Sequence, residues 1–320
     1  MEVIFGVKTS KKGVSAAGGK TSGPRVMSLG NFDGMHRGHQ ALLEKMMAKA
    51  RKEKLRGGLM TFDPHPMKVL FPEKDLRNVF DQSDKISMAE SLGLDFFILE
   101  PFSRELSELT PEVFFKALLK NSLQVKYLFV GHDFKFGKNK SGSVETLAKL
   151  CRENKVDLEV LDAVRINGEI VSSTKIRQYI VLGEIEKANL FLGRPYFIKG
   201  VVEKGAGRGK KLGFPTANLF TSSELFPRHG VYITFFNIEG KKYKSLTNVG
   251  VNPTFKGQNR RPIQVETFIL DFQEDIYGEQ AKVEFLAFLR PEVKFNGVSE
   301  LTQKIKNDVD VARRFEWPNP

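Results

Sequence analysis

The chain is poor in cysteine and tryptophan, with one of each in 320 residues, and it has only five histidines. A single cysteine excludes an internal disulfide and is typical of a reducing compartment, so we expect a cytoplasmic protein. No apolar run approaches the ~20 residues of a membrane-spanning helix. The apolar stretch at residues 1–7 is shorter than a secretory signal requires. These absences argue against a membrane protein and against a disulfide-stabilised secreted one.

Positive charge exceeds negative charge, and the formal net charge is +12. Such a balance indicates nucleic acid, an anionic membrane surface or phosphorylated small molecules as partners. Nucleic-acid-binding proteins usually concentrate Lys and Arg on one helix or stripe. Here the basic residues are dispersed, and two of their local groups, at 135–140 and 204–211, lie in glycine-containing loops. We therefore expect nucleotide ligands and no nucleic-acid or membrane partner. A basic nucleic-acid-binding protein is the alternative from another functional class.

Residues 25–160 alternate short apolar segments with amphipathic ones, a pattern typical of strands that alternate with helices. Such a chain predicts a parallel sheet covered by helices on both faces. The preceding segment, Lys8–Pro24, has almost no large apolar residue and is expected to lack regular structure. A helix is predicted at 110–120, where Thr110 and Pro111 have the chemistry of a helix start. The predicted strands are 26–29, 59–62, 96–99, 127–130 and 158–161.

The second half of the chain has a different pattern, in which short β-prone segments precede one amphipathic helix at 299–315. Several of these segments alternate apolar with polar residues, as strands with one buried face do. This half predicts an antiparallel sheet or barrel closed by a C-terminal helix. Its predicted strands are 197–203, 231–238, 243–249, 263–270 and 282–289. We place the domain boundary between residues 186 and 187, which gives domains 1–186 and 187–320.

The segment GNFDGMHRGH, residues 30–39, lies between the strand at 26–29 and a helix expected to begin near Gln40. Unpaired N–H groups at a helix N-terminus attract anions, phosphate above all. Glycines in this loop allow a ligand to approach the backbone closely. His36 and His39 are therefore candidate phosphate contacts. The alternatives are ordinary histidines or zinc ligands, and the single cysteine argues against structural zinc.

Five further motifs extend this evidence along the chain. They are TFDPHP at 61–66, GHDFKFG at 131–137, VSSTKIR at 171–177, KLGFPTAN at 211–218 and VETFILDF at 265–272. In this order, together with residues 30–39, they resemble the family of bifunctional bacterial riboflavin kinase/FMN adenylyltransferases, also called FAD synthetases. The resemblance extends from Arg25 to about Phe315, which is nearly the whole chain.

The resemblance implies that the N-terminal half is a Rossmann-like nucleotidyltransferase domain, which transfers AMP from ATP to FMN and releases pyrophosphate. It implies catalytic roles for His36, His39 and Arg177. Several of the residues that the resemblance assigns to ligand binding also have a simpler interpretation. Residues 172–174 could be only a helix cap, His65 only a turn residue, and 133–134 only an exposed loop. By resemblance, the residues that bind nucleotide or flavin are Gly30, Asn31, Phe32, Asp33, His65, Asp133, Phe134, Ser172, Ser173 and Thr174.

The resemblance implies that the C-terminal half is a small β-barrel flavokinase domain, which transfers the γ-phosphate of ATP to the ribityl hydroxyl of riboflavin. Its glycine-rich segment at 205–213 has neither the Walker A nor the Gly-x-Gly-x-x-Gly spacing. We expect Gly207, Lys210 and Gly213 to contact phosphate. The oxygens of Thr216 and Asn218 are suited to Mg²⁺ that bridges ATP phosphates.

A hydroxyl nucleophile must lose a proton, so the kinase reaction needs a base. Glu266 is an isolated carboxylate in the apolar strand 263–270 and is the candidate. The simpler interpretation is an outward-facing acid on a half-buried strand. Asn248 belongs to another matching segment and is assigned a flavin-side role by the resemblance.

The sequence as a whole predicts an enzyme that makes FMN and then FAD from riboflavin, with ATP and Mg²⁺. Its partners are small-molecule flavins and ATP. The first alternative is a riboflavin kinase whose N-terminal domain is inactive. The oligomeric state is not predicted.

Overall fold

The computed structural model describes residues 1–10, 13–16, 23–205, 207, 209, 212–251 and 263–318. The chain divides into two compact units, an N-terminal unit, Met1–Ser173, and a C-terminal unit, Thr174–Pro320. The boundary that we predicted between residues 186 and 187 lies later, within a helix that spans Ile185–Leu192. Where the two activities divide therefore stays a prediction.

The N-terminal unit is built on a six-stranded, all-parallel sheet whose strand order is β1-β6-β5-β4-β7-β8. The two neighbours of β4 are β5 on one side and β7 on the other, so the chain changes direction across the sheet beside β4. Open α/β sheets bind ligands at the carboxyl ends of strands at such a point. The strands of this unit are β1 (Glu2–Phe5), β2 (Val7–Ser10), β3 (Gly13–Ala16), β4 (Arg25–Leu29), β5 (Arg56–Asp63), β6 (Phe96–Pro101), β7 (Val125–Gly131), β8 (Asp157–Leu161), β9 (Arg165–Ile166) and β10 (Glu169–Ile170).

Helices cover both faces of this sheet, as predicted. Neighbouring strand residues point to opposite faces; Met27 packs in one apolar cluster with Phe115, whereas Val26 packs in another with Leu43 and Met46. The predicted helix at 110–120 changes to π-helical winding at Phe115. The helices of this unit are α1 (Arg37–Glu53), α2 (Pro66–Leu70), α3 (Gln82–Ser91), α4 (Arg104–Ser107), α5 (Pro111–Phe114), a π-helix (Phe115–Ser122), α6 (Val144–Glu153) and two 3₁₀ turns (Pro72–Lys74 and Lys138–Lys140).

The segment for which we expected no regular structure contains a hairpin. β2 and β3 pair antiparallel from Val7 opposite Ala16 to Ser10 opposite Gly13, and they contact the π-helix. The start of the hairpin is held by the buried Glu100, whose Oε2 accepts a hydrogen bond from the Val7 N–H at 2.6 Å. A low apolar content therefore did not exclude strands here, because the hairpin is held by backbone hydrogen bonds.

The C-terminal unit is a closed antiparallel barrel with the strand order β11-β12-β15-β14-β13-β16. This confirms the predicted barrel and its C-terminal helix, whereas the strand β12 and the helix at Ile185–Leu192 were not predicted. The strands are β11 (Tyr196–Glu203), β12 (Thr216–Phe220), β13 (Gly230–Ile238), β14 (Lys241–Val251), β15 (Ile263–Ile269) and β16 (Gln280–Arg290). The helices are α7 (Ser173–Leu182), which begins at the last residue of the N-terminal unit, α8 (Ile185–Leu192) and α9 (Val298–Arg314).

A chain of hydroxyl groups crosses the interior of the barrel. Thr234 Oγ1 lies 2.8 Å from both Ser245 Oγ and Thr247 Oγ1, and Thr247 Oγ1 lies 2.9 Å from Thr267 Oγ1. All four residues are fully buried. Since buried hydroxyls without partners are costly, these contacts favour one register of β13, β14 and β15.

The buried Glu100 predicts a pH-dependent stability. Burial raises the pKa of its carboxyl from 4.5 to about 7, against the effect of the Val7 hydrogen bond. The folded protein therefore holds this proton over a range in which the unfolded chain has lost it, so this contribution to stability is complete below the unfolded pKa and is lost as the pH rises through 7.

We expect the free energy of unfolding to fall by roughly 3 kcal/mol from pH 4.5 to 7.5 through this group. Glu100→Gln should lose this component, and urea unfolding followed by far-ultraviolet circular dichroism at several pH values measures it. The exposed Glu73→Gln is the matched control. Equal pH dependence in Glu100→Gln and the unaltered protein would contradict the assignment.

Candidate functional site

The loop between β4 and α1 is tightly folded. The Met35 N–H donates to the Phe32 carbonyl at 3.2 Å, and Phe32, Gly34 and Met35 all have positive φ, at 48°, 81° and 41°. The side chains of Phe32 and Met35 are buried in an apolar cluster. Their burial fixes a backbone conformation that residues other than glycine rarely adopt. The loop is thus an ordered structure rather than a flexible connection.

His36 forms the cap of α1. Its Nδ1 accepts a hydrogen bond from the His39 N–H at 3.3 Å, and the two imidazole rings stack with centroids 3.6 Å apart. A Cβ at position 38 would lie 3.2 Å from the His36 ring, so Gly38 leaves room for it. The helix begins at Arg37, earlier than the predicted start near Gln40. The reason is that the His36 imidazole accepts the N-terminal hydrogen bond that a Ser or Asp side chain usually accepts.

His65 has the same arrangement on the next strand. It follows β5, and its Nδ1 caps α2 by accepting from the Met67 N–H at 3.1 Å. His36 and His65 are each only 6% exposed. A neutral imidazole that accepts at Nδ1 carries its proton on Nε2. Both histidines are therefore oriented so that Nε2 is a hydrogen-bond donor.

Hydrogen bonds connect the β4–α1 loop to four neighbouring segments. Asp33 Oδ1 accepts from the Val79 N–H at 3.0 Å, and Ser173 Oγ donates to the Asp33 carbonyl at 2.7 Å. The Asn31 carbonyl accepts from Thr61 Oγ1 at 3.0 Å and from Lys85 Nζ at 3.4 Å. Ser173 is thereby held against the loop, and the phosphate-binding role of 172–174 stays a prediction.

Sequence reasoning missed Lys85, which is only 1% exposed and places its ammonium group against the loop. A lysine on an amphipathic helix is typical of a solvated surface, so its sequence context contained no signal of this role. Its charge contributes positive potential where an anion would bind.

The loop after β7 places Asp133 on the surface and Phe134 in a half-buried position. The Phe134 ring stacks on Phe136 at 5.6 Å. Thr174 and Arg177 belong to the C-terminal unit, so their predicted part in the nucleotide site stays a prediction. The same holds for any ligand contact of Gly30, Asp133 and Phe134.

In the barrel, strand register brings together residues that are far apart in the sequence. Asn218 on β12 lies opposite Glu266 on β15, and Glu266 lies opposite Asn248 on β14. Directly opposed residues of antiparallel strands share one face of the sheet. The predicted base is therefore flanked by two amide side chains, and all three residues are half-buried.

Glycines allow the segment before β12 to lie against the predicted magnesium ligands. A Cβ at position 205 would come within 2.2 Å of Asn218 Nδ2, and one at position 209 would lie 3.4 Å from Thr216 Oγ1. Neither Gly205 nor Gly209 was singled out from the sequence. Gly207 and Gly213 have positive φ, at 68° and 81°, which explains glycine at both positions. Lys210 lies outside the described residues.

Two findings limit other kinds of site. Within the described ranges, no three or more His, Cys, Asp or Glu side chains are grouped so that they could hold a metal ion. None of the helices in that part of the chain is both long enough and apolar enough to cross a membrane.

Comparison with known proteins gives matches to both units. A family model described as FAD synthetase matches residues 19–175, and one described as riboflavin kinase matches residues 192–316. A bifunctional riboflavin kinase/FMN adenylyltransferase from Listeria monocytogenes is 37% identical, over 91% of this chain and 92% of that protein. Its namesake from Bacillus subtilis is 34% identical over the same shares.

A solved structure from Streptococcus pneumoniae, described as a macrolide-efflux protein, has the same fold. It is 31% identical in sequence and has a TM-score of 0.87, over 99% of this chain and 100% of that one. The likeness therefore includes both units.

The cap of α1 can be tested separately from any chemistry. His36→Ala should lower the stability of the N-terminal unit by about 1 kcal/mol, whereas His36→Asn should retain most of it, because asparagine is a good N-cap. Urea unfolding followed by far-ultraviolet circular dichroism measures the change.

The fluorescence of the single tryptophan, Trp317, reports on the C-terminal unit and should be unaffected. Equal stability of the alanine and asparagine variants would show that the Nδ1 contact has no capping role.

Proposed function

The chain belongs to the bifunctional riboflavin kinase/FMN adenylyltransferase family, and we propose that its two reactions take place at two separate sites, one in each unit. The enzyme phosphorylates riboflavin with ATP to give FMN, and it joins AMP from ATP to FMN to give FAD and pyrophosphate. The observation that carries the division is the different chemistry of the sites. The first site has imidazoles that cap helix N-termini, and the second has a carboxylate between two amides.

Adenylyl transfer needs no base, because the attacking FMN phosphate is already an anion. Its oxygen attacks the α-phosphorus of ATP, the bond to the β-phosphate oxygen breaks, and pyrophosphate leaves. The site must align the reactants and stabilise negative charge. We assign this to Nε2 of His36, to His39 and to the N-terminal N–H groups of α1, with His65 as a further donor.

The remaining predicted residues surround these donors in our proposal. Ser172, Ser173, Thr174 and Arg177 form a second phosphate-binding segment, since hydroxyls and a guanidinium suit phosphate oxygens. Gly30, Asn31, Phe32 and Asp33 supply the loop backbone, whose contacts with Val79 and Ser173 support a preorganised site. Asp133 and Phe134 are assigned to flavin or nucleotide.

In the kinase reaction, Glu266 accepts the proton of the ribityl hydroxyl, the oxygen attacks the γ-phosphorus of ATP, and ADP leaves. Thr216 and Asn218 would hold Mg²⁺ through their side-chain oxygens, and the packing of Gly205 and Gly209 against these two side chains supports this assignment. The ion would neutralise charge on the ATP phosphates. Gly207, Lys210 and Gly213 are proposed phosphate contacts, and Asn248 is on the flavin side.

The findings do not favour the alternatives. The first alternative, a kinase with an inactive N-terminal domain, does not explain the FAD synthetase match over residues 19–175. The second, a nucleic-acid-binding protein, explains neither match. The ligands are therefore flavins and ATP. We place the enzyme in the cytoplasm, on the ground that it has a single cysteine.

His36→Asn, which retains a cap, should lower FAD formation from FMN by roughly 100-fold or more, because removal of one preorganised donor has effects of that size. FMN formation from riboflavin should stay at the level of the unaltered enzyme. Chromatographic separation of the flavins after incubation with ATP and Mg²⁺ measures both reactions. Loss of both activities in the folded variant would argue against separate sites.

Glu266→Gln should have the opposite effect. Removal of the general base should slow FMN formation by about 100- to 10,000-fold, while FMN supplied directly should still be converted to FAD. Glu239→Gln is the matched control, because Glu239 is an exposed carboxylate in the turn between β13 and β14. Normal riboflavin phosphorylation by Glu266→Gln would eliminate this residue as the base.

A further inference from the structure

Glu292 contacts the strand that carries Asn248, although it belongs to none of the motifs found in the sequence. It lies two residues beyond β16, and its Oε1 accepts a hydrogen bond from Asn248 Nδ2 at 3.3 Å. The same oxygen would lie 2.0 Å from a Cβ at position 250. Gly250 is therefore the residue that lets the carboxylate reach β14.

A partly buried ion pair orders the backbone just before Glu292, whose own side chain is exposed. Arg290 Nε lies 3.0 Å from Asp308 Oδ1, and Arg290 Nη2 lies 2.7 Å from Asp308 Oδ2. The same guanidinium donates from Nη1 to the Pro291 carbonyl at 3.1 Å. Asp308 belongs to α9, so the C-terminal helix fixes the end of β16 and with it the backbone that leads to Glu292. Two-pronged pairs of this kind are geometrically specific.

The contact determines which way the Asn248 amide faces. A carboxylate can only accept, so the amide must present its NH₂ group to Glu292. The amide oxygen is then left to accept a hydrogen bond from another partner. Asn248 lies directly opposite Glu266, and the Cβ atoms of such pairs are about 5 Å apart. The substrate groups nearest to Asn248 are thus those next to the hydroxyl that Glu266 deprotonates.

We propose that Glu292 is a positioning residue for the kinase, which orients Asn248 so that its oxygen accepts a hydrogen bond from the ribityl 4′-hydroxyl of riboflavin, next to the reacting 5′-hydroxyl. The proposal rests on the assignment of Glu266 as the base. In this proposal Asn248 binds the ribityl chain by a hydrogen bond, and Glu292 takes no part in proton transfer.

Deoxy analogues of riboflavin test this proposal. For the unaltered enzyme, kcat/KM should be about tenfold lower with 4′-deoxyriboflavin than with riboflavin, because the amide oxygen loses its donor. The 2′-deoxy analogue, altered farther from the reacting end, should be used nearly as well as riboflavin.

Glu292→Gln should lower kcat/KM for riboflavin about tenfold and leave that for 4′-deoxyriboflavin unchanged, because a neutral amide no longer enforces one orientation of Asn248. Gly250→Ala should have the same effect through displacement of the carboxylate. Glu239→Gln removes the same charge at the far end of β14. This variant should prefer riboflavin over 4′-deoxyriboflavin to the same extent as the unaltered enzyme.

A double-mutant cycle shows whether Glu292 acts through Asn248. Asn248→Ala should abolish the preference for riboflavin over 4′-deoxyriboflavin in kcat/KM. In that background, Glu292→Gln should cause no further loss of kcat/KM. Conversion of FMN to FAD by the same preparations reports on the integrity of the N-terminal unit. Full discrimination in Glu292→Gln, or additive effects of the two substitutions, would overturn the proposal.

The outcome for Glu266 separates this proposal from the one on which it rests. Loss of FMN formation in Glu266→Gln, together with unchanged discrimination in Glu292→Gln, rejects the positioning role alone. Normal FMN formation in Glu266→Gln rejects the base.

Discussion

Strand register is the constraint on which both candidate sites depend. In the N-terminal unit, the parallel pairing of Leu29 with Met60 places the loops after β4 and β5 at one edge of the sheet, and His36 and His65 follow those strands. In the C-terminal unit, antiparallel register alone brings Glu266 between its two amide neighbours. The first site combines the local His36–His39 pair with His65 from the next strand, whereas the second is assembled entirely from separate strands.

The barrel interior explains why that register is held. A slip of β15 by one residue would turn Glu266 inward and Thr267 outward, because successive strand residues face opposite sides. The interior contains apolar side chains and a connected set of hydroxyls, with Thr267 at one end of that set. An ionised carboxylate buried there without a partner would cost several kcal/mol, and the hydroxyls would lose partners as well. The same contacts that stabilise the barrel therefore keep the proposed base on its outer face.

Local patterns predicted most of the fold, and long-range contacts account for what they missed. Each of the five strands predicted between residues 25 and 161 lies inside an observed strand, because apolar runs between turns are a local signal. β12 was missed because Thr216–Phe220 has little apolar alternation. Lys85 and Glu292 were missed because their partners are 54 and 44 residues away along the chain. Motif resemblance singled out His36 and Glu266, but not the residues that orient their surroundings.

Two kinds of nucleophile explain why one chain needs two differently built sites. A phosphate oxygen is already charged and needs no base, so the first site needs donors for negative charge, which the imidazoles and the N-terminal N–H groups of α1 supply in our proposal. A hydroxyl must lose a proton, so the second site needs a carboxylate, and Glu266 lies opposite Asn218 and Asn248 on the two neighbouring strands. The two nucleophiles therefore require different groups, which are donors that stabilise negative charge in the first site and a proton acceptor in the second.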